Sequence, residues 1–278
     1  MIGRSSLAAL FRKRRPAHAE MHAEIADQGF RDRFRKLPMI IDAWVRPHRS
    51  LAGARVLDFG CGEGITALGL AMNFGPAQVI GVDIMPDPER CMEQARKHLG
   101  LESLPSSLRL HQVRPGELPN DARELDLVYA WSVFEHVDQT ILDALLTQLQ
   151  ERLKPGGLAF LQIDPLYYSS HGSHLSEKVP VPWGHLSMQA NLYEASVRAA
   201  CGSPEEFESL WSTYRTLNRI TADELKKAVE RAGFRVERFR AMTDPARPPA
   251  SLRAIYRSKV LRTQQVVILA RKRQANGR

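Results

Sequence analysis

The stretch VLDFGCGEG, residues 56–64, decides the fold. A strand-like run, Arg55–Phe59, enters it, and a helical pattern over Ile65–Phe74 leaves it. Gly60, Gly62 and Gly64 sit between the two, where the backbone must turn sharply and admit a ligand without a Cβ in the way. The first amides of the following helix then point at that ligand. A dinucleotide turn reads G-x-G-x-x-G, and the place for its third glycine after Gly62 is held by Ile65. The spacing here is D-x-G-x-G-x-G, with Asp58 at the strand end. A carboxylate there repels phosphate and suits a ligand with a cationic amino-acid end.

Outward from this turn, short apolar runs alternate with helical patterns, as parallel strands joined by crossover helices do. Strands are predicted at Gln78–Asp83, Leu108–Gln112, Leu125–Trp131, Leu158–Ile163, Phe234–Phe239 and Gln265–Ala270. Helices are predicted over Pro88–Leu99, from the N-cap Asp138 to Leu153, and over Ala222–Ala232 behind a Thr221/Glu224 capping box. Pro155-Gly156-Gly157 is read as the turn that stops the Asp138 helix. The fold class is α/β: a Rossmann-like, seven-stranded, mostly parallel sheet with helices on both faces. Residues 165–218 interrupt the alternation as an insertion after strand 5, with helices near Met188–Ala200 and Pro204–Arg215, and residues 243–262 read as a Pro/Arg-rich loop.

Four motifs in this order resemble the class I S-adenosylmethionine-dependent methyltransferases: VLDFGCGEG, VIGVDI (79–84), LDLVYAWSVFEHV (125–137) and LKPGGLAFLQ (153–162). The resemblance covers residues 50–165 well, and 219–271 by topology. It implies that S-adenosyl-L-methionine is bound by Asp58, Gly60, Gly62, Gly64, Asp83, Ile84, Val113 and Trp131, with Asp83 receiving the ribose hydroxyls. The position at which relatives place an adenine-binding Asp falls on Arg114, which accepts no hydrogen bond. The adenine is therefore expected against backbone near Val113 and the side chains of Ile84 or Met85.

In open α/β sheets a ligand lies beyond the carboxyl ends of the strands. That puts the insertion over the acceptor, and with it His171, His174 and His185 in SSHGSHLSEKVPVPWGHL (169–186). The spacing H-x2-H-x10-H, with prolines in the gap, is a weak metal signal, and no metal is assigned. His174 and His185 are candidates for a general base, since imidazole titrates near the working pH. His136, Tyr167, His171 and Trp183 are candidates for touching the acceptor; in the plainer reading Trp183 and the tyrosines form a small core beneath the loop.

The chain has 278 residues, 44% apolar and 25% charged, an ordinary globular composition. No apolar run is long enough to span a membrane, and Cys61, Cys91 and Cys201 form no CxxC pair, which fits a reducing cytoplasm. Charge is uneven: residues 1–50 carry a net +6, residues 51–230 a net −9 and residues 231–278 a net +11. Residues 1–49 are read as a basic arm and helix, and 50–278 as the catalytic domain with the insertion as an acceptor-site lid. The basic ends suit an anionic surface such as lipid headgroups, so a membrane-peripheral location is open. The expected reaction is O-methylation of a sugar, glycan or other small molecule. RNA or protein methylation through the basic ends, and a non-catalytic module that only binds the cofactor, are the alternatives. AWSVFEH after strand 4 has none of the Asn/Asp-Pro-Pro-Tyr character that suits a planar amino group, which weighs against nucleic acid.

Overall fold

A computed structural model describes residues 25–273; most of the basic arm expected at the N-terminus lies outside the described residues. The strands are β1 (Arg55–Phe59), β2 (Gln78–Asp83), β3 (Leu108–Gln112), β4 (Leu125–Trp131), β5 (Leu153–Ile163), β6 (Phe234–Thr243) and β7 (Thr263–Lys272). They form one sheet in the order β3-β2-β1-β4-β5-β7-β6. β1 to β5 run parallel, and β7 lies antiparallel between β5 and β6. The strand order reverses between β1 and β4, which opens a crevice at their carboxyl ends. β4 is apolar over most of its length because helices cover both faces, and six of its seven residues are buried.

On one face pack α1 (Gln28–Arg31), a π-helical turn (Asp32–Lys36), α2 (Leu37–Val45), α3 (Ile65–Phe74) and α4 (Pro88–Leu99). Phe30, Phe34, Ile41 and Trp44 thus belong to the core of the domain. α5 (Gln139–Arg152) covers the other face. Asp138 caps it by accepting from the Thr140 amide at 2.7 Å, and Leu142, Leu145, Leu146 and Leu149 form its buried stripe. Between β5 and β6 come α6 (Gly184–Ser187), α7 (Ala190–Ala200), α8 (Pro204–Thr216) and α9 (Ala222–Arg231). The Thr221/Glu224 capping box on α9 is present, and α9 packs beside α5 through Leu225, Ala228 and Val229.

The structure corrects three local expectations. The α5 helix ends at Arg152, one residue early, because Leu153 is already extended and pairs with Leu125. Pro155-Gly156-Gly157 is therefore no separate turn: β5 runs through it, with a register shift against β4 and Gly156 at φ +75°. Lys154 anchors this start of β5, its Nζ lying 3.0 Å from the buried Asp126, which also pairs with Arg49 and accepts from the Arg55 amide. Finally, the expected loop 243–262 holds two short helices, α10 (Ala250–Ile255) and α11 (Ser258–Arg262), pinned by Leu252 and Leu261 against Trp183.

Among the described residues, no helix is long and apolar enough to cross a membrane, and no group of three or more His, Cys, Asp or Glu is placed to hold a metal ion.

Candidate functional site

Each glycine of the turn after β1 is required for a different reason. Gly60 has φ +78°, and a Cβ there would lie 2.3 Å from a methyl of Val133. Gly64, also at φ +78°, would place its Cβ 2.8 Å from Leu110. Gly62 has φ +52° but faces open space, with nothing within 4 Å of an added Cβ. Gly60 lets the loop after β4 close in and Gly64 lets β3 do so, while Gly62 leaves open space at the turn.

Two carboxylates flank this turn. Asp83, at the end of β2, accepts from the Gly62 amide and the Met85 amide, both at 2.8 Å. A carboxylate has about four acceptor positions, so Asp83 retains capacity for two more donors such as vicinal hydroxyls. Asp58 is buried in β1 beside Tyr129 of β4, and its Oδ2 has no hydrogen-bond partner among the described residues. Burial pushes its carboxyl up to about 7, and the negative charge of Asp83 adds to this against the opposing Tyr129 hydroxyl. An orphaned buried acid next to an open glycine cradle fits a ligand that brings a cation. Past Asp83, Ile84 and Met85 are 52% and 79% exposed, an apolar shelf at the mouth of the turn. The Val113 amide donates to the Asp83 carbonyl at 2.9 Å, so its N–H is not available to a ligand.

A cavity of about 930 Å³ runs from Gly60, Asp83, Ile84 and Val113 across the crevice to His136 and the segment Arg215–Arg219. That is the upper end of the range for small-ligand sites. The 215–219 segment is held down by Asn218. Its amide donates to the Glu135 carbonyl at 2.6 Å, its Nδ2 donates to the Val137 carbonyl at 2.8 Å, and its Oδ1 accepts from the Ile220 amide.

The sequence-predicted acceptor residues separate into two groups. His136 lines the cavity, and partial enclosure lowers its pKa. His174 stands behind it, the two rings edge to face at 5.2 Å. Burial, then the neighbouring His136, pulls His174 down to about 4. Its backbone is at φ +60°, and its Nε2 has no partner among the described residues. His185, His171, Tyr167 and Trp183 do not reach the cavity wall. His185 Nε2 lies 2.7 Å from the Tyr167 carbonyl, and burial pushes this imidazole to about 4. His171 turns its carbonyl to the His174 amide. Trp183 donates its ring N–H to the Tyr168 and Leu261 carbonyls and packs with Leu252 and Leu261, so it builds the core under the insertion. Trp131, expected toward the cofactor, stacks on Phe160 on the α2/α3 face of the sheet.

Three residues that the sequence reading passed over belong to this region. Glu135 is 2% exposed, and neither carboxylate oxygen has a partner among the described residues. Burial, aided by Asp164, pushes it up to about 8, so it is protonated at neutral pH. Its place before His136 in FEHV was the only available signal. Arg215 lies near the end of the insertion and Arg219 just past it, and only the tertiary fold brings them to the cavity.

A family model described as a methyltransferase domain matches residues 30–238. The chain belongs to the class I S-adenosylmethionine-dependent methyltransferases. It is 31% identical over 123 residues to a ubiquinone biosynthesis O-methyltransferase of Azoarcus sp. (strain BH72), covering 44% of this chain and 49% of that protein. Over 144 residues it is 31% identical to a cypemycin N-terminal methyltransferase of Streptomyces sp., covering 51% and 55%. The chain thus spans about half the length of the curated relatives it matches. The fold is similar to that of phosphoethanolamine N-methyltransferase 2 of Haemonchus contortus, solved with S-adenosyl-L-methionine, at a TM-score of 0.53 and 17% identity over 86% of this chain and 53% of that one.

Proposed function

We propose that this methyltransferase acts on a hydroxyl of a small molecule bound in the cavity between Asp83 and the 215–219 segment. The observation that carries the reading is the neutral imidazole of His136 on the wall of that one continuous cavity. In this reading Asp83 holds the ribose hydroxyls, Asp58 faces the cationic amino-acid end, and Ile84 and Val113 flank the adenine. The bound cofactor supplies an electrophilic methyl group. The protein's own contribution is alignment of the acceptor and removal of the hydroxyl proton. His136 is the group placed to take that proton, and a lowered pKa keeps it in the proton-accepting form at neutral pH. His174, packed against it and neutral as well, fixes the orientation of the ring. The helices after β5 close this side of the crevice as a lid, and a sugar or glycan hydroxyl is one acceptor class that suits such a site. A phenol is another, which the relatives named for ubiquinone biosynthesis O-methylation support.

The test is transfer of labelled methyl from S-adenosyl-L-methionine to a panel of catechols, phenols, sugars and amine-bearing peptides, with the full chain. Methylated hydroxyl product is expected. With His136→Asn, S-adenosylhomocysteine binding should persist while turnover falls about 100-fold, the scale of a lost general base. Product formed only on the peptide amines, or unchanged turnover in the variant, overturns the reading.

A further inference from the structure

Arg215 and Arg219 lie on the cavity wall opposite the glycine turn. Neither forms an ion pair or a side-chain hydrogen bond with any described residue. Some arginines elsewhere in the fold are ion-paired, as Arg49 is with Asp126, Arg231 with Asp143, and Arg235 and Arg271 with Glu237. Arg215 closes the last turn of α8, where a cation offsets the helix dipole. Arg219, three residues beyond the helix, has no such role. Its guanidinium stacks over the buried Tyr167 ring, 5.0 Å from the centroid, and its charge also reaches Tyr168, Tyr214 and His185. Stacking of this kind fixes the plane of the guanidinium and leaves its donors free for a ligand.

The two arginines flank Leu217 and Asn218, both buried, and Asn218 ties the segment to the backbone of the loop after β4. Their bases are therefore held in place, and little ordering is needed before they bind. They also share a cavity with the site of a sulfonium cation. A third arginine, Arg114, lines the same cavity from the β3 side. The wall also carries acids: Asp138 caps α5 and Asp83 takes two amides of the glycine turn, and neither pairs with Arg215 or Arg219. Glu117, on the β3 side, makes no side-chain contact with either arginine.

We infer that Arg215 and Arg219 form an oxyanion-binding pair that selects an acceptor bearing a carboxylate or phosphate group besides the hydroxyl to be methylated. Guanidinium groups match either oxyanion through paired N–H donors. The inference rests on the small-molecule hydroxyl reading above and adds the charge of the substrate.

The experiment uses the full chain saturated with S-adenosylhomocysteine and measures equilibrium binding of two matched probe pairs. One pair is 3,4-dihydroxybenzoate and its uncharged amide; the other is glucose 6-phosphate and glucose. At least one charged probe should bind about tenfold or more tightly than its neutral partner, and which pair does so tells carboxylate from phosphate. Arg215→Gln and Arg219→Gln should each abolish most of that preference, as loss of a charge-assisted hydrogen bond does, with S-adenosylhomocysteine affinity unchanged. Equal binding of charged and neutral probes, or a preference that survives both substitutions, overturns the inference. Failure of the hydroxyl-methylation reading would look different: charged probes would bind with the arginine dependence intact, and no hydroxyl product would form.

Discussion

Asp58 and Asp83 lie on opposite sides of one glycine turn and are held in different ways. Two amides satisfy Asp83, whereas Asp58 is buried with an oxygen unmatched and a carboxyl pushed up to about 7. In the ligand-free protein Asp58 is thus largely protonated below about pH 7. A ligand ammonium favours the ionised form, so binding must expel a proton wherever the acid still holds one. S-adenosylhomocysteine affinity is therefore expected to be nearly constant above pH 7.5 and to fall by up to about tenfold per pH unit well below 7, with about one proton released per ligand. Titration calorimetry in buffers of different ionisation enthalpy reads both quantities. A flat affinity between pH 6 and 8 would remove Asp58 from the ammonium site. The placing of both acids beside the glycine turn was legible in the sequence, from carboxylates next to glycines where strands finish. Trp131 was not. Its packing depends on which face of β4 each residue takes: residue 131 shares the face of Leu127 and Tyr129, as Asp58 beside Tyr129 does, and neither Trp131 nor Asp58 lines the cavity.

Elements that carry their own periodicity were read almost residue for residue, as in α3, α4 and β2. Errors arose where a neighbour overrode the local signal. Leu153 continues the leucine spacing of α5, yet pairing with Leu125 draws it into β5. The insertion shows the same limit on a larger scale. Its helices α7 and α8 were predicted, but its histidines and Trp183 were expected at the acceptor, and most of them pack inward. The part that reaches the cavity is its last segment, 215–219, which has no motif and is placed by the hydrogen bonds of Asn218. Asn218→Ala should cost about 1–3 kcal/mol of stability, since the Val137 carbonyl and the Ile220 amide lose their side-chain partner. It should also raise the acceptor KM while S-adenosylhomocysteine affinity is kept. Urea unfolding and steady-state kinetics report the two effects, and a change in cofactor affinity alone would contradict the role given to this segment.

Across the whole molecule, the groups enclosed near the crevice are kept uncharged and the charge is left to the rim. Near pH 6 the carboxyls of Glu135 and Asp58, pushed up to about 8 and about 7, are mainly protonated, and the imidazoles of His174 and His185, pulled down to about 4, are neutral. Arg215 and Arg219 remain charged at the cavity surface. These four enclosed groups pull stability in opposite directions with pH. A histidine with a depressed pKa contributes stability that is complete above its unfolded value near 6.5 and is lost as pH falls toward 4. A carboxyl with a raised pKa contributes stability that is complete below its unfolded value near 4 and is lost as pH rises toward its folded value. Between about pH 4.5 and 6.5 two groups of each kind titrate, and their slopes nearly cancel. Glu135→Gln removes one carboxyl and unmasks the imbalance. Relative to the parent, the variant should gain about 1.4 kcal/mol of unfolding free energy for each pH unit from about 4.5 up to about 8, and none outside that window. Urea unfolding of both proteins at half-unit pH steps gives the difference directly. Parallel curves would mean that the Glu135 carboxyl titrates in the folded protein as it does in the unfolded chain, and that the enclosed end of β4 is open to water.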